Sequence, residues 1–316
     1  MVSQALNIVP VNLQYALWGI VILLIVSTLA IELKALIMPA IDNRELWLRI
    51  GSWWVIAGLF VVSIALGRTF TIAYFGLISL LALKEYLNIM PARPSDKKLH
   101  YLAYFASALH YYWIWLGLQP LFFVFIPVFL FLIMSFCLMI ASETKGFLKA
   151  ASSLHWGLMS TVFLLSHVAY LLTLPDSGNP VAGSAGLLFF IAFLTQFNDV
   201  LQFIWGKLLG KTKIVPLISP SKTVAGLLGG VISTTLLAWL IAPYLTPLLS
   251  WEPLAAGVII GLGGFAGDVL ISAIKRDIGI KDASHLIPGH GGVLDRIDSL
   301  IVSAPLFFYF IYYLHY

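Results

Sequence analysis

Apolar stretches near 13–33, 46–66, 69–88, 101–118, 120–141, 153–174, 183–205, 222–247, 253–274 and 297–316 follow one another with only short breaks. Each is long enough to cross a hydrocarbon core of ~30 Å as a helix. In lipid every backbone N–H and C=O must be satisfied within such a helix or within a closed barrel. Barrel strands alternate polar and apolar residues, and these runs do not. The expectation is an all-α, polytopic integral membrane helical bundle of about ten transmembrane helices. Charged residues make up 10% of the chain, against about 25% in soluble domains, which excludes an ordinary soluble fold.

The basic residues order these spans. All of the 18 Lys and Arg except Arg68 fall in the breaks after the first, third, fifth, seventh and ninth spans or at their edges. Positive residues favour the cytoplasmic side, so those loops are expected in the cytoplasm and both termini outside. The second span carries Arg49, expected to snorkel to an interface. Tyr and Trp near the span ends, among them Trp53, Trp113 and Trp251, suit an interfacial belt. The first 33 residues hold no Lys or Arg, so the first run reads as a retained span rather than a cleaved leader. The single cysteine, Cys137, allows no internal disulfide and is expected in the core. Residues 1–150 read as N-terminal membrane helices. Residues 151–316 read as a region whose chemistry lies in the cytoplasmic loops 206–222 and 275–296.

The ninth span, GVIIGLGGFAGDVLISAIKR, holds the first chemical signal. Gly257, Gly261, Gly264, Asp268, Ser272 and Lys275 fall within about 40° of one line on a helix. The glycines let a neighbouring helix approach closely, and the polar half of the stripe then faces the same interior. A carboxylate within a span costs roughly 2.5–3.5 kcal/mol on insertion scales, which makes Asp268 a functional candidate. The bland alternative is a buried ion pair of Asp268 with Lys275 or Lys222.

PGHGGVLDRIDS follows. Its glycines, Gly291 and Gly292 included, let backbone amides approach a ligand, and amides before a helix suit phosphate. Asp295, Asp298 and Ser299 share one face of the helix that begins there, and two carboxylates near Asp268 could hold Mg²⁺ through hard oxygens. Lys275, Arg276, Lys281 and Arg296 would meet phosphate charge. His285 and His290 lack the company of cysteines expected of zinc, and His290 is assigned to phosphate or to loop structure. The remaining histidines read as structural or interfacial. Upstream, Thr195, Asp199, Gln202 and Gly206 share a helical face, followed by Lys207, Lys211 and Lys213. SPSKT, from Ser219 to Thr223, opens the eighth span, with Lys222 placed in its first turn. Taken singly, these lysines also fit plain topology.

The run from Ser272 to Ser299, SAIKRDIGIKDASHLIPGHGGVLDRIDS, resembles the signature of the phosphatidate cytidylyltransferases, also called CDP-diacylglycerol synthases. Gly267-Asp268 and SPSKT fit the same pattern. The resemblance is specific over about 30 residues and looser from roughly 150 onward. It implies conversion of CTP and phosphatidate to CDP-diacylglycerol and pyrophosphate. It implies a metal centre of Mg²⁺ with K⁺ on Asp268 and Asp295, with Asp199 beside them, and a need for Ser272, Lys275 and Asp298. Substrate contacts are expected from Lys207, Lys211, Ser219, Lys222, Lys281, His290, Gly291, Gly292 and Arg296. The partners expected are CTP, phosphatidate or a related anionic lipid, and the surrounding membrane lipids; a homodimer is compatible, and nucleic acid is not expected. An inner-membrane location with a cytoplasmic site follows. The chain departs from the family where an Ala-Asp-Ser-Gly-Ala-Tyr-like stretch reads FNDVLQF, where Gly-Arg reads Gly206-Lys207, and where a Glu reads Ala225. A CTP-dependent lipid kinase, a transporter and a nucleotide-binding relative without activity are the rival readings.

Overall fold

The computed structural model describes residues 9–38, 42–90, 97–140, 146–284, 286–289 and 291–316. These residues form ten long helical elements. They are α1 (Val11–Ile37), α2 (Arg44–Ala65), α3 (Arg68–Ile89) and α4 (Lys97–Leu116). Next come α5 (Gln119–Ile140) and α6 (Phe147–Thr173). Last are α7 (Gly183–Leu209), α8 (Val224–Leu245), α9 (Glu252–Asp277) and α10 (Leu294–His315). Among the described residues nine are long and apolar enough to span a membrane. The tenth is α4, which carries His100 and His110 along its 20 residues. The protein is an all-α polytopic membrane bundle, as its periodicity predicts. The division expected at residue 150 falls inside α6.

Local chemistry explains the irregularities. Within α5 the ladder widens to a π-helical segment at Phe125–Leu130, where Pro127 brings no N–H. Within α6 a second π segment spans Met159–Leu164. Beside it the Ser160 and Thr161 hydroxyls donate to the Trp156 and Gly157 carbonyls at 2.7 Å each, a back-bonding that loosens helices. Phe122 and Phe308 meet His167 edge-on, and Phe122 stacks on Tyr170 with ring centroids 3.9 Å apart. His110 and His167 are buried there, bonded to Ser166 and to the Phe163 carbonyl. Cys137 is half-buried rather than in the core.

Glycine sets the spacing of α7–α10. Gly226 and Gly230 of α8 lie against Gln202 of α7, leaving no room for a side chain. Along α9, Gly257 and Gly261 face Thr235 and Val231 of α8, whereas Gly263 and Gly267 face Ser303 and Asp298 of α10. A Cβ on Gly264 would sit 3.0 Å from the Asn198 side chain. The small-residue face of α9 therefore meets three neighbours and brings their polar residues to one end of the bundle.

Candidate functional site

Four carboxylates gather where α7, α9 and α10 end or begin together. Asp268 accepts a hydrogen bond from Ser272 Oγ at 3.2 Å, one turn along α9, and forms an ion pair with Lys222. Lys222 does not lie in the first turn of α8, as expected, but two residues before it. Thr223 is the cap, its hydroxyl accepting from the Gly226 N–H at 3.1 Å. The loop carries Lys222 inward because Ile214 N–H donates to the Lys222 carbonyl and Val224 N–H to the Thr212 carbonyl. Lys222 also donates to Gln202 Oε1 at 3.3 Å and sits over the Phe265 ring. Burial opposes the charge on Lys222. The carboxylates of Asp268 and Asp199 more than offset that, so its pKa stands above the ordinary lysine value.

Asp295 forms the second pair, accepting from Lys275 Nζ at 2.6 Å; the two side chains are only 7% and 10% exposed. Its other oxygen accepts from the Ala283 N–H at 3.1 Å and the Gly292 N–H at 3.0 Å. Gly291 makes this possible by its left-handed backbone, φ +80°, and a Cβ there would lie 2.9 Å from the Asp295 carboxylate. Asp298 is buried against α9 and accepts from the Ser299 N–H at 2.8 Å. Ser299 Oγ donates to Asp199 Oδ1 at 2.9 Å. Asp199, Asp268 and Asp298 are near enough to repel one another, and Lys222, Lys275 and Arg296 counter them. The cluster thus sets four carboxylates against three cations.

A cavity of about 160 Å³ opens beside this cluster, between α7 and α8. Asp199, Gln202, Lys207, Lys222 and Thr223 are among the residues lining it. Gln202 Nε2 is buried and has no hydrogen-bond partner among the described residues, and the same is true of Arg296 Nε. Both are donors left over once the internal pairing is complete.

The structure brings together Asp199, Lys222, Asp268, Ser272, Lys275, Asp295, Asp298 and Ser299, with Lys207 at the cavity. Other candidates stand elsewhere. Arg276 donates to the Ile218 carbonyl at 3.1 Å and the Ile280 carbonyl at 3.0 Å, tying the loops before α8 and after α9 together instead of facing the cavity. Lys211 and Lys281 are exposed, and Ser219 lies 3.3 Å from Ser221. His290, like His285, lies outside the described residues. The amides at the start of α10 are already engaged. Gly292 N–H serves Asp295, while those of Val293 and Leu294 donate to Glu85 of α3 at 3.0 and 2.8 Å. Sequence reasoning missed Glu85, although a lone acid at the end of an apolar span was a usable signal. It placed Gln202 on the same helical face as Asp199 but gave no sign that its Nε2 would be left without a partner among the described residues.

The family model described as "Cytidylyltransferase family" matches residues 47–314, and the chain belongs to that family. It is 45% identical over 293 residues, 92% of this chain and 95% of the relative, to the "Uncharacterized protein YnbB" of Escherichia coli strain K12. It is 47% identical over 116 residues to the phosphatidate cytidylyltransferase of a Synechocystis strain, 36% of this chain and 39% of that protein. With the phosphatidate cytidylyltransferase of Chlamydia muridarum it shares 36% identity over 149 residues, 45% of this chain and 48% of that protein. The chain thus spans less than half of either phosphatidate cytidylyltransferase and nearly all of the first relative.

Proposed function

We propose that the protein is a phosphatidate cytidylyltransferase of the inner membrane, its site facing the cytoplasm, forming CDP-diacylglycerol and pyrophosphate from CTP and phosphatidate. One observation carries the reading: carboxylates and lysines from three helices and a loop converge beside an open cavity at one end of the bundle. The basic loops of the same end support the cytoplasmic orientation. At about 160 Å³ the cavity is smaller than the ~300–1,000 Å³ of a whole-ligand pocket. It suits a phosphate or head group, with the remainder of the nucleotide along the rim at Lys207.

Mg²⁺ with K⁺ is the proposed cofactor, and Asp268, Asp295 and Asp199 are the residues that would hold it. Hard carboxylate oxygens suit these ions, and Asp199, Asp268 and Asp298 stand near enough to repel one another, so the donor chemistry fits. Among the described residues no three acidic, His or Cys groups already stand close enough to share an ion, and Lys222 and Lys275 now engage two of the aspartates. When bound, such an ion supplies charge neutralisation at the phosphates.

An oxygen of the lipid phosphate forms the new bond to the α-phosphorus of CTP. The bond from that phosphorus to the bridging oxygen breaks, and pyrophosphate leaves with the electron pair. The lipid phosphate is already anionic near neutral pH, its second pKa being about 6, so no strong base is needed. Lys222 and Lys207 meet the leaving charge, and the spare N–H of Gln202 is free for a phosphate oxygen. The test uses purified protein with Mg²⁺, phosphatidate and CTP radiolabelled at its α-phosphorus. Label is expected in the organic phase. A parallel reaction with diacylglycerol and CTP radiolabelled at its γ-phosphorus tests the rival: lipid labelled only there would establish a lipid kinase instead, and no label in either reaction would reject both readings.

A further inference from the structure

The apolar helices of the first half of the chain contribute one buried carboxylate to the last cytoplasmic loop, and the cluster described above makes no use of it. Glu85 sits one turn from the C-terminal end of α3 and is 6% exposed. That end of a helix is negative, so a carboxylate there is opposed by its own helix. Its partners all lie far along the chain. Oε1 accepts from Ser284 Oγ at 2.6 Å and from the Val293 N–H at 3.0 Å, and Oε2 accepts from the Leu294 N–H at 2.8 Å. These are the free amides at the positive start of α10, where an anion is stabilised. Gly292 leaves the room for it, since a Cβ there would stand 2.6 Å from Glu85 Oε2. One residue past Leu294 is Asp295, whose own carboxylate closes the same loop on Ala283 and Gly292 and receives Lys275. A second grip comes from α2, where Ser52 Oγ donates to the Pro288 carbonyl at 2.7 Å.

We infer that Glu85 is a positioning residue of the site: it fixes the start of α10 and the loop before it, so that Asp295 is presented to Lys275. This gives the N-terminal helices a role in the chemistry, and its activity arm rests on the proposed cytidylyltransferase reaction. Glu85 does not touch the cavity. Its effect passes through backbone geometry, where misplacing a reacting group by about 1 Å costs as much as 10²-fold.

The experiment compares wild type, Glu85→Gln and Glu85→Asp as full chains in detergent. Glu85→Gln keeps the shape but turns an NH₂ group toward an amide N–H. Hydrogen exchange at the Val293 and Leu294 amides should quicken by about tenfold, the equivalent of one lost charged hydrogen bond, while α8 exchanges as in wild type. The kcat for label transfer should fall roughly ten- to a hundredfold with the KM for CTP unchanged. Glu85→Asp, which retains both acceptor oxygens and the charge, should recover part of each loss. Unchanged exchange at the start of α10 would overturn the inference. So would faster exchange throughout the molecule, which would make Glu85 a packing residue, or a shift in KM alone. If wild-type protein transfers no label, the proposed function fails, and the exchange measurement still decides whether Glu85 holds the loop.

Discussion

Helices α1 and α9 are nearly equal in length, 27 and 26 residues, and both read as apolar spans. They use their residues in opposite ways. α1 buries Leu13, Leu17 and Leu24 and shows leucines, isoleucines and valines on most of its surface. α9 buries Gly257, Gly261, Gly263, Gly264 and Gly267 together with Ser272 and Lys275. A helix coated with large apolar side chains gains little by meeting another helix, because lipid is as apolar as leucine. A helix with a glycine face can bring backbone against backbone, and the polar residues on the same face are then enclosed by protein. Hydropathy makes α1 and α9 look alike; what separates them is side-chain size on one face.

That contrast can be broken most decisively at the polar end of α9 and its partner. Asp268→Asn and Asp295→Asn should each lower label transfer by at least about 10²-fold, measured as counts in the organic phase. Transfer retained in both variants would remove the metal assignment. Next in size is Gly267→Ala. Its Cβ would collide with the Asp298 carbonyl, and the overpacking should cost about 1–3 kcal/mol, read as a lower Tm in detergent together with reduced transfer. The matched control is Gly19→Ala in α1, where nothing lies within 4 Å. It should leave Tm unchanged or raised by the ~0.5–1 kcal/mol of helix propensity that glycine forgoes. Equal losses at both glycines would dissolve the distinction between the two helices.

Smaller effects sharpen the picture at the cavity. Gln202→Ala removes both the acceptor for Lys222 and the spare donor, and the KM for CTP should rise by about tenfold or less, with kcat changing little. The pH dependence of the Lys222–Asp268 pair should be smaller still. The folded pKa of Lys222 is raised above the ordinary lysine value of 10.5. Its contribution to stability is therefore fully present below that value and is lost as pH rises through the higher folded pKa. Chemical denaturation of wild type and Lys222→Met at rising pH should converge only in that alkaline range. Convergence near neutrality would mean that the pair adds nothing.

Much of this was legible in the sequence because it is local or periodic. The span pattern follows from bilayer thickness, and the stripe from Gly257 to Lys275 follows from helical geometry. The pairing of Asp268 with Lys222 was foreseeable as one of two choices, but the choice depended on how loop 210–223 folds back. Arg276 shows the limit more sharply: its charge suggested phosphate, yet backbone carbonyls of two loops claim its guanidinium. The phosphate cradle read from the glycines before α10 is likewise filled by carboxylates of the chain itself. Glycine content reports that amides can be approached, not by which group. Gln202 was visible as part of a helical face, but its unsatisfied N–H appears only once the neighbouring helix is in place.

The bonds from Glu85 to Ser284, Val293 and Leu294 span 199, 208 and 209 residues. During synthesis the third helix enters the membrane with a carboxylate whose partners do not yet exist. Until α10 emerges from the ribosome, that side chain must find its hydrogen bonds in water at the membrane surface or in the insertion machinery. The early helices are thus completed by α10, and a chain that stops before it leaves Glu85 without the Val293 and Leu294 amides.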